Sequence, residues 1–472
     1  MSDRQALVEQ LHRFVVNTLK GIDVVMKELR NSNEPLSTIT IANKLYQHVE
    51  HEWKQICQNS DVADHFDTIV ALGGAPMSPM DENRLVMDEK GLGMSIVKEI
   101  LRYRLPDSFS PMVATEFAAK LAEFFCEDKV TLVTEAPIYG LHITHEGPVT
   151  PAHGVSLIST SEVFHKFSFL TVLLEEEFRT HAQVCFEHKW LEKKTFVEDP
   201  DEIEALQNVL ADPLFERMIF VLRLLGMRNF GAPYVRNGVS GFEFLTMYRK
   251  YRFTLSSSSR CIHYSDQVDS ERAKGLAIIW KVLENLLSSL NHDRTRLLVF
   301  ALQKVNASCE RDNSVDRLLD LCISLEALLT RESEQITFQF RQRGIFLLSL
   351  ACGYLSENQL REIRKFLNDV YKTRSKLVHG ETLDHSKLEE TNTKLFELAR
   401  IFCLKYICLA NRFSKAEMLD NIDLGMASQE TRKTLEDILL NSELALFWNS
   451  PFEKVTVLFR DSRFPSLTPS SC

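Results

Sequence analysis

Arg374 and His379 stand five positions apart near the end of a helical segment, and their side chains have complementary chemistry. A guanidinium group presents a fork of donors that fits phosphate oxygens, and an imidazole group takes up and releases protons near neutral pH. These residue types suit proton transfer at a phosphate. A lone histidine at a helix C-terminus more often interacts with the helix dipole, so the pair needs support from its surroundings.

The end of the helix decides whether the two side chains can meet. Gly380 directly follows His379, and glycine is the residue best suited to the left-handed position just after a helix. We therefore expect the helix to end at His379. Residues five apart on an ideal helix point about 140° apart, so the helix end or a second chain must bring Arg374 and His379 together.

An acidic residue on an earlier segment points toward the same interior. Apolar residues recur at helical spacing in 314–330, and Glu326 falls in that stripe four residues after Cys322. An unpaired carboxylate inside a bundle is costly, so Glu326 needs a partner. Arg374 falls on the apolar stripe of the segment 357–378 and faces inward as well. The alternative interpretations of Glu326 are a structural ion pair and a partly solvated interface residue.

Positive charge is concentrated around Arg374. Residues 361–380 contain six lysines and arginines against two acidic residues, in a chain whose net charge is −10. A local basic surface on an acidic protein is typical of selective phosphate binding, although a solvated helix face has the same composition. Tyr371 is placed either to stack on a nucleic-acid base or to pack in the core.

Composition narrows the class of protein. The 472 residues suffice for about three domains, and the net charge of −10 argues against attraction of the whole surface to nucleic acid or anionic membranes. The ten cysteines are dispersed without a C-x-x-C pair, which predicts reduced thiols. No apolar run approaches the about 18 to 20 residues of a membrane span, and the start lacks the pattern of a secretory signal. We expect a cytoplasmic protein without a membrane segment.

The chain divides into four regions by its patterning. We expect a mostly helical region at 1–127, a mixed α/β regulatory or sensor region at 128–260, a helical bundle at 261–415, and a C-terminal helix and tail at 416–472. The fold class is therefore mainly α, with a C-terminal bundle preceded by an α+β N-terminal region. Ser256 to Ser259 is the predicted linker before the bundle.

The bundle should contain six helices separated by short breaks. Ser314 and Ser356 are the predicted N-caps of its third and fifth helices. The expected helices are 270–290, 294–308, 314–330, 336–350, 358–378 and 386–413.

Two strings within this bundle together resemble a known family. They are Leu318-Leu-Asp-Leu-Cys-Ile-Ser-Leu-Glu-Ala-Leu-Leu329 and Val370-Tyr-Lys-Thr-Arg-Ser-Lys-Leu-Val-His-Gly380. They resemble the HEPN domain (higher eukaryotes and prokaryotes nucleotide-binding), and most closely its ApeA-like branch. The resemblance covers residues 270–413, about a third of the chain.

The resemblance implies metal-independent RNA cleavage across a homodimer interface formed by the bundle. Arg374 and His379 match the catalytic Arg-x4–6-His motif of the family, and Glu326 and Asp320 match its acidic positions. Many catalytic members carry Asn, Asp or His directly after the arginine, whereas this chain has Ser375, which is common in the ApeA-like branch. The predicted catalytic residues are Arg374, His379 and Glu326, and the predicted RNA-binding or supporting residues are Asp320, Tyr371, Lys372, Ser375 and Lys376.

The resemblance also implies a role in abortive infection, the anti-phage defence in which a ribonuclease is released by an infection signal. The partners expected on this basis are RNA, with tRNA among the candidates, a second copy of the chain and a phage-derived trigger sensed by residues 1–260. No cofactor and no metal are expected.

Three other interpretations compete with this one. A non-catalytic HEPN bundle would serve dimerisation and RNA or protein binding. Gly91 and Gly93 are similar to a nucleotide-binding glycine box, but the companion boxes of such ATPases are missing. His142, His145 and His153 form a weak metal-binding pattern, because histidines three apart outside a helix have poor zinc geometry.

Overall fold

The computed structural model describes most of the chain and is mainly helical, as the sequence predicts. The described residues are 2–32, 37–59, 62, 89–104, 111–126, 129–159, 180–192, 214–231, 234–239, 242–250, 266–288, 292–331, 335–351, 355–381 and 385–449. The predicted linker Ser256–Ser259, the strand-like run Phe167–Leu174 and the helical segment Ile203–Leu210 lie outside them.

Four helices at the start of the chain share an apolar core of their own. They are α1 (Ser2–Asn31), α2 (Thr38–Cys57), α3 (Glu89–Arg104) and α4 (Pro111–Cys126). Leu11, Phe14, Trp53 and Phe125 are fully buried among them. Gly93 lies inside helix α3, where an added Cβ would stand 2.6 Å from the ring of Tyr46. Close helix packing therefore explains this glycine without a nucleotide.

The strands that follow these helices form an antiparallel sheet and a separate parallel pair. The strands are β1 (Lys129–Tyr139), β2 (Leu141–Ile143), β3 (Val149–Ala152), β4 (Val155–Ser159), β5 (Thr180–Glu192), β6 (Tyr234–Val239), β7 (Phe242–Lys250) and β8 (Asp266–Val268). Six of them form an antiparallel sheet in the order β3-β4-β5-β1-β6-β7, and β2 pairs with β8 in parallel. A further helix, α5, spans residues 214–224 between β5 and β6.

The six predicted bundle helices are all present. They are α6 (Ser270–Ser288), α7 (His292–Glu310), α8 (Ser314–Leu329), α9 (Ile336–Ser349), α10 (Glu357–Val378) and α11 (His385–Ala410). Beyond them lie α12 (Lys415–Gly425), α13 (Gln429–Leu440) and the short α14 (Leu446–Asn449). The sequence predicted α13 but missed α12.

The N-caps of two bundle helices test the predicted starts. Ser356 caps α10 in a full capping box with Gln359, as predicted. The prediction of Ser314 as the cap of α8 was wrong, because Asn313 accepts the hydrogen bond from the Val315 amide. Ser314 is instead buried, and its carbonyl accepts a hydrogen bond from Asn392.

One continuous apolar core joins strands β1 to β4 and β8, helix α5 and the bundle, from Ile138 to Trp448. The predicted boundary at residue 127 falls between this core and that of the first four helices, whereas the boundaries at 260 and 415 fall within its span. The division into domains stays a prediction.

Two buried cations of α11 form hydrogen bonds that link this helix to α5 and α9. Arg400 is almost fully buried, pairs with Glu397 at 3.1 Å, and donates a hydrogen bond to the carbonyl of Leu224 at the end of α5. Lys405 is fully buried and donates to three carbonyls at the end of α9, those of Leu347, Leu348 and Leu350. These carbonyls are the acceptors that a helix end leaves unpaired, so Lys405 acts as a cap supplied by another helix.

A second polar network surrounds the end of α7. Arg223 on α5 is buried and donates to Asn306, and Asn306 donates to Glu310 at 2.6 Å. Burial raises the pKa of the Glu310 carboxyl to about 7, although the positive charges of Arg223 and Arg311 oppose the shift, while Asp320 adds to it.

In the described part of the chain, no helix has the length and apolar character needed to cross a membrane.

The C-terminus of α10 depends on Gly380. Its φ is +83°, with no atom near the position of an added Cβ, and Gly380 and Glu381 donate amide hydrogen bonds to Leu377 and Lys376, which is a Schellman motif. We expect Gly380→Ala to lower the free energy of unfolding by about 1 kcal/mol through backbone strain alone. Urea titration measures this. Gly380→Asn, which tolerates the left-handed region better, should cost less, and equal losses for the two variants would contradict the explanation.

Stability should depend on pH through Glu310. Because its folded-state pKa lies above its ordinary value of 4.5, its contribution to stability is fully present below pH 4.5 and is lost as the pH rises through 7. We expect Glu310→Gln to be more stable than the parent at pH 8 but not at pH 4.5, in urea titrations at both values. Glu389→Gln, which changes a more exposed acid on α11, is the matched control. A Glu310→Gln variant that is less stable than the parent at pH 8 would refute the prediction.

Candidate functional site

Helices α8 and α10 pack together and bring Glu326 to Arg374. The Nε atom of Arg374 lies 3.4 Å from Oε1 of Glu326, and its Nη2 donates to Oε2 at the same distance. The Glu326 side chain is 17% exposed and that of Arg374 29%. Both charges therefore lie at the edge of the core, and the predicted partner of Glu326 is present.

The environment of Glu326 disfavours its charged form. Its Oε1 atom is buried and accepts no hydrogen bond. Burial raises the pKa of the Glu326 carboxyl, and the positive charge of Arg374 opposes that shift. One turn earlier, burial also raises the pKa of the Cys322 thiol, with the Glu326 charge as a smaller cause. Cys322 is therefore a neutral neighbour.

An aromatic pair supports the Arg374 side chain. The guanidinium carbon lies 5.5 Å from the ring centre of Tyr371, a cation–π distance. The Tyr371 ring in turn lies 5.9 Å from the ring of Phe340 on α9, which is fully buried. Of the two predicted roles of Tyr371, packing is the one visible in this arrangement. Phe340 was missed because no spacing in the sequence connects α9 with the Arg374 helix.

His379 is the C-cap of α10 and is exposed to solvent. The helix ends where the sequence predicts, but it continues through Val378, so no break separates Arg374 from His379. Their directions therefore differ by about 140°. Within one chain, the helix end does not bring the two side chains together.

The basic residues of α10 mostly lie on the face opposite Arg374. Lys372 and Lys376 each lie two residues from Arg374, which places them about 160° away around the helix, and both are exposed. Lys376 pairs with Glu381 at 3.4 Å. Ser375, next to Arg374, is half-buried. The charges of Lys372 and Lys376, counted from the sequence as part of one basic surface around Arg374, therefore lie on the outer face of α10, away from Arg374.

Asp320 belongs to a different part of the structure. It is buried and pairs with Lys304 at 2.9 Å and with Arg311 at 3.0 Å. It lies six residues before Glu326, about 120° away around α8. Asp320 therefore joins α8 to the end of α7, near Glu310, and does not contact Arg374.

Metal ligands are not grouped in the described ranges of the chain. No set of three or more His, Cys, Asp or Glu side chains there is arranged to hold a metal ion. No disulfide bond is formed by six cysteines of the described ranges, Cys57, Cys126, Cys309, Cys322, Cys403 and Cys408. His142 and His153 are exposed, and His145 is half-buried.

Comparison of the chain with protein-family models, with curated proteins and with solved structures finds no significant match.

The Glu326–Arg374 pair should contribute to stability in a pH-dependent way. Arg374→Ala leaves a half-buried carboxylate without its charged partner, so we expect a loss of about 1–2 kcal/mol at pH 8 and a smaller loss at pH 5, where the carboxyl is more readily protonated. Urea titrations at both pH values measure this. Adding Glu326→Gln should recover part of the loss at pH 8. As a control, Lys394→Ala removes the partner of Glu390, an exposed acid, and its loss of stability should not depend on pH in this way. A loss from Arg374→Ala that is larger at pH 5 than at pH 8 would contradict the role assigned to the Glu326–Arg374 pair.

Proposed function

We propose that this protein is a HEPN-type, metal-independent endoribonuclease that acts in anti-phage defence by abortive infection. The observation that carries the proposal is the Glu326–Arg374 pair, because the two strings that resemble the family supply its two helices and contact each other through the matching residues. The proposal includes the HEPN arrangement of the bundle, the cytoplasm as its compartment, and a preceding α+β region that senses a phage-derived trigger.

The residue types suit the chemistry. RNA cleavage without a metal needs a base that takes the 2′-hydroxyl proton, an acid that protonates the leaving 5′ oxygen, and positive charge on the crowded phosphorus intermediate. His379 is exposed at the helix end and supplies the proton transfers. Arg374 supplies the charge through its planar fork of donors. Lys372 and Lys376 contact the RNA backbone from the outer face of the helix.

A second copy of the chain completes the site. Arg374 and His379 of one helix point in different directions, so one cleft receives an arginine from one copy and a histidine from the other. Apolar side chains around the pair support such a contact. Val378, between the two residues, is 59% exposed, and Leu319 and Ile323 on α8 are only half-buried. A homodimer would cover them.

A non-catalytic binding module is the second candidate. It is favoured by the contact between Glu326 and Arg374, which places a negative charge where a phosphate would bind. In that case the bundle binds RNA or protein and dimerises, and no bond is broken.

Cleavage of RNA in the presence of EDTA separates the two candidates. We expect the full chain to cleave RNA with EDTA present and both Arg374→Ala and His379→Ala to lose cleavage by about 100-fold or more, measured on labelled total RNA and tRNA. Lys433→Ala, a change of an exposed lysine on α13, should cleave like the parent. Mixing the two inactive variants should restore part of the activity, because a mixed dimer keeps one intact pair.

The same variants test the biological role. Expression of the parent in a phage-challenged host should fragment RNA and restrict phage growth, whereas Arg374→Ala and His379→Ala should do neither. If all variants match the parent in RNA integrity and phage growth, the nuclease assignment is wrong and the binding module is preferred.

A further inference from the structure

We propose that Glu326 is a replaceable counter-ion of Arg374: an RNA phosphate takes its place on the guanidinium, the released carboxylate takes up a proton from solvent, and RNA binding is thereby coupled to proton uptake. The inference rests on the proposed function, since it assumes that Arg374 contacts an RNA phosphate, and it adds how access to that arginine is controlled.

The Glu326–Arg374 pair has longer contacts than most of the ion pairs that the structure describes. Both Glu326–Arg374 contacts measure 3.4 Å, whereas charge-assisted hydrogen bonds usually span about 2.7–2.9 Å. Arg343 and Asp423, by contrast, form a bidentate pair at 2.6 and 2.7 Å. A phosphate that binds Arg374 bidentately therefore replaces contacts weaker than those it forms.

The side chain of Arg374 is more exposed to solvent than that of Glu326. Arg374 retains 29% of its side-chain exposure, and Glu326 retains 17%. An incoming anion can thus approach Arg374 from solvent without first displacing a helix. The ring of Tyr371, which packs against Phe340, contacts the guanidinium of Arg374, so this contact remains when the counter-ion changes.

In the part of the chain that the structure describes, Glu326 has no cationic neighbour other than Arg374. Among the described residues, Arg374 is the one charged group that acts on its carboxyl. The other titratable neighbour is the Cys322 thiol on the same helix, which burial keeps neutral. Lys372 and Lys376 lie on the far face of α10 and therefore do not approach Glu326. Lys304 and Arg311 form ion pairs with Asp320 instead.

The charge balance at the site then determines the protonation state of Glu326. Once a phosphate occupies Arg374, the Glu326 carboxylate is half-buried, lacks its cation and stands near a second negative charge. Burial and a nearby like charge both favour the neutral acid. One proton therefore passes from solvent to the carboxylate as the phosphate binds, and the neutral carboxyl no longer repels it.

RNA affinity should consequently fall as the pH rises, and Glu326→Gln should remove that fall. The test uses the full chain carrying His379→Ala, so that neither cleavage nor titration of His379 contributes. Its ligand is a single-stranded RNA oligonucleotide with 2′-O-methyl groups, which cannot be cleaved. We expect the parent of this series to bind several-fold more weakly at pH 8 than at pH 6, up to about tenfold per pH unit for one proton.

Adding Glu326→Gln to this parent should tighten binding several-fold at pH 8 and reduce its pH dependence. Glu284→Gln is the matched control, because Glu284 pairs with Arg217 at 2.9 Å on another part of the structure, and it should leave both quantities unchanged. Calorimetric titration of the parent in two buffers of different ionisation enthalpy counts the protons taken up and does not depend on how well the Glu326→Gln variant folds.

The outcomes separate this inference from the proposed function. If Arg374→Ala weakens RNA binding but Glu326→Gln leaves affinity and pH dependence unchanged, or weakens binding, the counter-ion role is refuted and the nuclease proposal stands. A calorimetric count of zero protons refutes it as well. If Arg374→Ala changes neither binding nor cleavage, both proposals fail.

Discussion

A carboxylate and a guanidinium enclosed between two helices constrain the whole region around the candidate site. Glu326 and Arg374 are both partly buried, and each has its charged partner on the other helix, so the pair links α8 to α10. The aromatic contacts of Tyr371 and Phe340 extend this constraint to α9. Three helices are therefore aligned around one charge pair.

Other buried charges differ from this pair in how completely they are satisfied. Lys405 uses all three of its donors on carbonyls, and Arg343 has a bidentate acid together with the Leu329 carbonyl. Glu326 retains an oxygen without a hydrogen bond. Buried polar atoms without a hydrogen bond are uncommon in native structures, and the counter-ion exchange proposed above accounts for the one at Glu326.

Much of the bundle follows from the sequence, because helical periodicity, the Ser356 capping box and Gly380 are local signals. The side of α8 that faces away from the core was harder to predict from the sequence. Of the predicted stripe, Leu318, Cys322 and Leu329 are buried, but Leu319 and Ile323 are only half-buried. The core also contains residues outside that stripe, namely Leu321, Leu325 and Leu328. A helix surrounded by α7, α9 and α11 buries most of its circumference, so periodicity alone cannot locate its open side.

The pairing of Glu326 with Arg374 was predictable because both residues interrupt an apolar stripe. The partners of Asp320 were not, since they depend on how the end of α7 meets α8. The separation of His379 from Arg374 was predictable from helix geometry once the glycine had fixed the end of α10. The position of Lys372 and Lys376 on the outer face of α10 also follows from helix geometry. A count of charges along the sequence does not show it, because the count ignores the direction of each side chain.

The continuous core from Ile138 to Trp448 has a consequence for how this protein loses its structure. We expect parts that share one core and are joined by buried polar contacts, such as that of Arg400 with the Leu224 carbonyl, to unfold together, because the loss of one part exposes the apolar surface of the other. The first four helices have a separate core and are free to melt at another temperature. A disturbance in strands β1 to β4, in β8 or in α5 therefore reaches the bundle through shared packing, whereas the first four helices meet the rest of the described chain through a contact of α3 with β7 and not through a common core.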